Sequence, residues 1–390
     1  MFHDLQIENR YLIETLKKLI RINSVLPHEQ KLAEFIADEI RSFGIEPEWH
    51  EIAPGRPNVY ASTEPGSSDR FMVFSGHSDT VPPAGDWESD PFEPLEKDGR
   101  IYGLGAINMK SGLACMLAAF KAIVEAKELH ARLGRLGIAV TVDQEGYSTG
   151  ARAFLKTEYA ECGAMLHAEH FYGDSEKDYL PIAVTGKILY KLTVRGKAAH
   201  AFRPHLGGVN AIGDAAAIIN NLHRLKLREH RLFGKGTVCT LKIDGGYKEY
   251  SIVVPELCEV IITRLTVPGE TVDIAINDMK ELIDLLDLRS DVVVEAKPPC
   301  YEPYTLDEDD QLVFLFKEIY RRKIGVVPCF TGHRGIVDAN VFFGEGKIPT
   351  IVFGPKGGRH HCAGEYVELD SLIPVAQIYT ETALQYLLSK

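Results

Sequence analysis

Leu12, Leu16, Leu19 and Ile20, then Leu32, Phe35, Ile36, Ile40 and Phe43, recur at steps of three and four residues. That spacing predicts two opening amphipathic helices with apolar stripes facing a core. Farther along the period changes. Runs that are apolar over their whole length (FMVFSG from Phe71, GIAVTV from Gly137, AMLHA from Ala164, TIVFG from Thr350) alternate with helical segments, among them 110–127 and 370–388. Strands lacking a polar face need cover on both sides, which predicts an α/β fold with a largely parallel central sheet. Between 184 and 296 alternating strands start at Lys187, Thr237, Cys258 and Val292, interleaved with helices near 208–225 and 270–287. Strand, helix, strand, strand, helix, strand is the split βαβ, ferredoxin-like order. The parallel-sheet texture resumes with IPTIVFG, so residues 184–296 read as an α+β domain inserted into one formed by 1–183 and 297–390. No internal repeat is evident.

Composition narrows the partners. A chain of 390 residues exceeds one hydrophobic core, and 45% hydrophobic with 25% charged residues is the balance of a folded globular protein. Lys and Arg number 43 against 55 Asp and Glu, a formal charge of -12, with no basic run to track phosphates, so no nucleic-acid partner is expected. Seven cysteines, an odd number without a C-x-x-C pair, suit a reducing compartment better than a disulfide framework. The N-terminal segment mixes charges into its apolar residues, unlike a signal peptide, and no uninterrupted apolar stretch reaches the roughly 18–20 residues that cross a bilayer. These features predict a cytoplasmic protein without a membrane partner.

Candidate ligands follow the apolar strands in order: His77 and Asp79, then Glu145, then His167, Glu169 and His170, then His360 and His361. Open α/β sheets bind ligands beyond the carboxyl ends of their strands, so these groups could converge on one crevice. Imidazoles and carboxylates without thiolates suit a divalent metal: zinc, manganese, cobalt or nickel. His77 and Asp79, two apart on an extended segment, point the same way, and the carboxylate could orient the imidazole. A competing pattern is Gly146-Tyr147-Ser148-Thr149-Gly150, a G-x-S-x-G from which Ser148, Asp338 and His361 could form a serine-hydrolase triad. Against it, Asp143, Gln144 and Glu145 separate the serine from its strand, whereas a nucleophile elbow follows its strand directly.

The stretches GHSDTVP (76–82), WESDPFEP, DGRIYGLGAINMKSG, TVDQEGYSTGA and GPKGGRHHCAGEYV, in this order and over nearly the whole chain, resemble the M20 metallopeptidases of the acetylornithine deacetylase and succinyl-diaminopimelate desuccinylase type. The resemblance implies a zinc-peptidase-like catalytic domain holding two metal ions, usually zinc, and a lid domain that often dimerises. It implies His77 and Glu169 as ligands of one metal, with Asp79 supporting His77, and Glu145 and His361 as ligands of the other, His361 standing four residues before Glu365. In the lid, His200 matches the histidine that reaches a partner subunit's site to stabilise an oxyanion, although the segment runs one residue longer after Pro204. Arg264 lies where the family often holds a substrate carboxylate, unless it is simply an exposed strand arginine. Ile252 stands where the family has an asparagine.

Two positions depart from the family pattern. Asn108 replaces the aspartate that bridges both metals, and Gln144 replaces the glutamate that serves as general base. An amide offers a cation only its carbonyl oxygen and turns N–H hydrogens elsewhere, so Asn108 should weaken or abolish one metal site. Gln144 cannot take a proton, and a positioned base contributes about a hundredfold to ten-thousandfold in rate. Asp143, His167 and His170 are candidates to substitute, although the two histidines read more readily as ordinary polar residues at a loop entry. The expectation is a metal-dependent hydrolase of N-acyl amino acids or small peptides, impaired or altered at its centre. The alternative is an inactive homologue that binds such a ligand.

Overall fold

Four whole-length apolar runs become the parallel core of a six-stranded sheet. The protein is described by a computed structural model covering residues 5–170, 179–203, 207–249 and 251–389, so Pro204 lies outside the described residues. Sheet order is Glu48–Ala53, Arg56–Ser62, Arg135–Thr141, Phe71–His77, Ala164–His167, Thr350–Val352. The first two pair antiparallel and the last four run parallel. In register, His77 stands beside Thr141, Ser75 beside His167 and Val352 beside His167, so the carboxyl ends of the parallel strands lie along one edge.

Helices Ser111–Glu125 and Leu369–Leu388 pack on each other and against Phe71–His77, with the Phe74 and Tyr379 rings 5.8 Å apart. By length and mean hydropathy (1.4) the segment Ala106–Glu125 could cross a membrane, yet 89% of it is buried inside the protein, so its apolar surface is already spent on the core. The opening helices are Asn9–Arg21 and Gln30–Ser42, which bury Leu12, Leu16, Leu19, Ile20, Leu32, Ile36 and Ile40. Phe35 and Phe43 are only half-buried.

The chain divides into two compact units, one of Met1–Ile182, Leu306–His333 and Val337–Lys390, the other of Ala183–Thr305 with Arg334–Ile336. The second unit carries an antiparallel sheet ordered Thr237–Gly245, Leu257–Thr266, Gly186–Arg195, Asp291–Tyr301, the 2-3-1-4 arrangement of a ferredoxin-like fold. Alternate residues of its strands (Tyr190, Leu192, Val194, Cys258, Val260, Ile262) pack on Ala211, Ala215 and Ile218 of helix Ala211–Asn220 and on Ala275, Met279 and Leu282 of helix Val272–Asp284. Both helices start at side-chain caps: Asn210 accepts from the Ile212 and Gly213 amides, and Thr271 from Ile274. The last strand passes the expected boundary at 296, because its ladder resumes at Tyr301 opposite Lys187 after an irregularity. Lys297, Pro298 and Pro299 interrupt the apolar alternation there and hid the continuation.

Candidate metal centre

Three of the four parallel strands end on a polar side chain: His77, Thr141 and His167. His77 is the last residue of its strand, and its Nε2 lies 3.1 Å from both Asn108 Oδ1 and Glu169 Oε2. Asp79 approaches His77 Nδ1 at 3.4 Å and accepts the backbone N–H groups of Gln144 (3.2 Å) and Glu145 (2.9 Å), fixing the loop after Arg135–Thr141. Burial opposes charge on His77, but Asp79 and Glu169 overcome it and hold the imidazole well above its ordinary range. Burial likewise opposes ionisation of Glu169, and hydrogen bonds from His170 and His77 pull it well below the carboxylate range.

On the other side of Asn108 the pattern reverses. Its amide Nδ2 lies 2.8 Å from Glu145 Oε1 and 2.7 Å from His361 Nε2, and those two are 3.2 Å apart. A carboxylate can only accept, so the facing Glu145 fixes the NH2 on this side and the carbonyl on the His77 side. The Glu145 hydrogen bond raises the His361 pKa. His361 is held at φ 58°, left-handed backbone that a non-glycine residue rarely adopts.

This geometry tests the fit of a cation. Donors about 2.0–2.1 Å from a tetrahedral zinc stand about 3.3 Å from one another, close to the distances of His77 Nε2 from Asn108 Oδ1 and from Glu169 Oε2. Those three residues suit one divalent cation. At Glu145 and His361 the third group presents hydrogens, not a lone pair. Among the described residues no three His, Cys, Asp or Glu side chains gather in a metal-binding arrangement, because each half of the centre has two and shares Asn108. The residues therefore fit one cation and not two.

Gln144 is held by an equally directional set. Its Oε1 accepts the backbone N–H of Asp338 and His167 Nε2, both at 3.0 Å, and its Nε2 donates to Glu169 Oε2 at 2.7 Å. His167 Nδ1 meets Ser75 Oγ at 3.0 Å, and burial pushes its pKa down to about 3, so the ring is a neutral donor to the glutamine. His170 Nδ1 lies 2.7 Å from Glu169 Oε1. Both histidines thus support Gln144 and Glu169.

Residues 73–385 match the profile of peptidase family M20/M25/M40. The chain belongs to this family. Among M20 relatives, the succinyl-diaminopimelate desuccinylase of a Nitratiruptor species is 28% identical over 383 residues, covering 95% of this chain and 98% of that protein. The desuccinylase of an Azoarcus species is 27% identical over 373 residues, covering 94% and 95%. Among solved M20 folds, aminopeptidase PepT of Bacillus cereus superposes with TM-score 0.78 at 22% identity, covering 97% of this chain and 99% of that one. A dinuclear metal-binding M20 peptidase of Bacillus subtilis gives 0.73 at 16%, covering 97% and 98%.

Several expectations about this M20 chain need correction. Asp143 is no spare base: Arg56 (3.0 Å), Thr149 Oγ1 (2.7 Å) and the Tyr147 amide (3.2 Å) consume its carboxylate in organising the turn. Ser148 is fully buried, with its hydroxyl on Asp338, while His361 is turned to Glu145 and Asn108, so no serine nucleophile is assembled. Arg264 is neither exposed nor open to a substrate. It is wholly buried, bonded to Glu270, Asp278, Tyr190 and the Lys226 carbonyl, because its place in the strand turns it under the helices of the second unit. Glu365 does more than mark the motif's end: its carboxylate accepts the amides of Gly105, Ile107 and Asn108, each at 3.0 Å, and so anchors the segment that presents Asn108. Only the four-residue spacing from His361 hinted at that role. His200 lies exposed in the second unit, its Nδ1 3.3 Å from the Phe202 amide.

Proposed function

We propose that this M20 chain is a slow hydrolase of amide bonds in N-acyl amino acids or short peptides, working with one divalent cation held by His77, Asn108 and Glu169. The observation that carries the reading is the Asn108 NH2 group directed at both Glu145 and His361. Zinc is the first candidate for an imidazole and oxygen donor set, followed by manganese, cobalt and nickel. When bound, the cation supplies Lewis acidity to a carbonyl oxygen. The chain's own groups do less than in a complete centre. Gln144 takes no proton, which removes about a hundredfold to ten-thousandfold in rate. Acyl amino acid substrates accord with relatives named succinyl-diaminopimelate desuccinylase, and short peptides with the aminopeptidase neighbour.

In this reading the protein is a cytoplasmic homodimer joined through its lid, and His200 of each chain serves the other's oxyanion. Because His200 Nδ1 faces a backbone N–H, its proton belongs on Nε2, the form a hydrogen-bond donor requires. A second reading, ligand binding without cleavage, is favoured by Gln144 itself, whose every hydrogen bond suits an amide.

The test is elemental analysis of the purified protein together with turnover of N-succinyl and N-acetyl amino acids and dipeptides. One metal per chain with slow, chelator-sensitive turnover supports the first reading. Binding of these ligands without turnover supports the second, and two metals per chain would remove the single-cation centre.

A further inference from the structure

The first unit has a polar cavity whose lining residues the centre above does not use. It measures about 310 Å³ and lies between three segments of that unit. One is the loop that carries Asp86, Trp87 and Glu88. The second is the antiparallel pair Leu95–Lys97 and Arg100–Tyr102, joined by Asp98 and Gly99 at φ 51° and 72°, the left-handed pair that a two-residue hairpin turn demands. The third is the loop that presents His361, in which Arg359 folds back to place its Nη1 3.3 Å from the Ala363 carbonyl.

Charges of both signs line this space without pairing. Asp86, Glu88 and Asp98 share it with Lys97 and Arg359, yet among the described residues none of the five makes an ion pair. The indole N–H of Trp87 is buried and meets no acceptor among the described residues. An indole nitrogen only donates, and a buried donor left unmet is destabilising, so a ligand that brings an acceptor gains by it.

The fitting ligand carries an anionic acceptor for the Trp87 N–H, Lys97 and Arg359, and a cationic donor for the three carboxylates. A free α-amino acid holds both on one carbon. The volume, at the lower end of the range for small-molecule pockets, suits a single amino acid. An N-acyl amino acid has lost the ammonium, and an N-succinyl one sets a further carboxylate among Asp86, Glu88 and Asp98. The charges that admit the product of amide hydrolysis therefore disfavour its substrate.

We infer that this cavity is a binding site for a free α-amino acid, the product of the hydrolysis proposed above, and that it discriminates against the N-acylated form. The ligand's role as product rests on that function, while its recognition rests on the cavity alone.

Calorimetry on the full-length protein with L-alanine, L-alaninamide and propionate tests it, alongside binding and turnover of N-acetyl-L-alanine. The wild type should bind alanine at least about tenfold more tightly than alaninamide, which lacks the carboxylate, or propionate, which lacks the ammonium. Trp87→Phe, which keeps a ring and removes the donor, should weaken alanine about tenfold, and Glu88→Gln severalfold. Both variants should bind and turn over N-acetyl-alanine as the wild type does. Alanine held no more tightly than its amide or propionate, or held equally by the wild type and both variants, would overturn the amino-acid site, and the proposed function would stand on the turnover of N-acetyl-alanine. Selective binding of alanine in a protein without turnover would instead remove the proposed function and, with it, the ligand's role as product.

Discussion

The two halves of the candidate centre hold matched pairs of side chains, His77 with Glu169 and Glu145 with His361, yet one residue treats them oppositely. Asn108 turns its carbonyl oxygen to His77 of the first pair and its NH2 group to Glu145 and His361 of the second. Matching side chains are therefore not enough to make matching sites: in the proposed single-cation reading, the polarity of the shared group sets the two halves apart.

The largest expected effect comes from making the halves alike. Asn108→Asp with Gln144→Glu should raise metal content from one to two per chain and turnover by about a hundredfold to ten-thousandfold, read by elemental analysis and steady-state rates. A double variant that stays at one metal would dissolve the contrast. Next in size is a pair of deletions: His77→Ala should abolish metal binding in equilibrium dialysis, whereas His361→Ala should leave the affinity within a few-fold. Equal losses in both would mean that the second half carries metal after all.

A smaller effect concerns His167, which supports only the first half. Its pKa is depressed from 6.5 to about 3, so the unfolded chain binds this proton more readily than the native one. Its contribution favours folding above the ordinary imidazole value and is lost as pH falls from 6.5 toward 3. Chemical denaturation across that window should show a shallower pH slope for His167→Gln than for the wild type. An unchanged slope would mean that His167 is not held neutral. The smallest effect is expected of Glu365→Gln, which keeps an oxygen for the Ile107 and Asn108 amides and loses only the acceptor of the Gly105 amide. It should lower the thermal midpoint by a few degrees, whereas Glu365→Leu, leaving those donors unmet, should cost about 1–3 kcal/mol per amide.

Much of this was readable from residue order. Whole-length apolar runs gave the parallel strands, and the polar residues just past their ends are those that meet. Direction was not readable: nothing at Asn108 reveals which way its amide turns, because the orientation follows from Glu145, 37 positions away. Arg264 misled for a related reason. Alternation shows that it faces one side of its strand, but which side the helices cover is decided by packing. Asp143 stood next to the base position, and its chain turn at φ 74° sends the carboxylate to Arg56 instead.

The peptide N–H of Asp338 makes Gln144 a ratchet. That donor keeps Oε1 where it is, so a carboxylate at 144 would set its second oxygen against Glu169, where the amide now sits at 2.7 Å. Gln144→Glu alone would therefore bring two like charges together, whereas the same substitution in an Asn108→Asp background would meet a centre able to share more cation. The order of the two substitutions, and not only their sum, would then govern whether a full centre assembles.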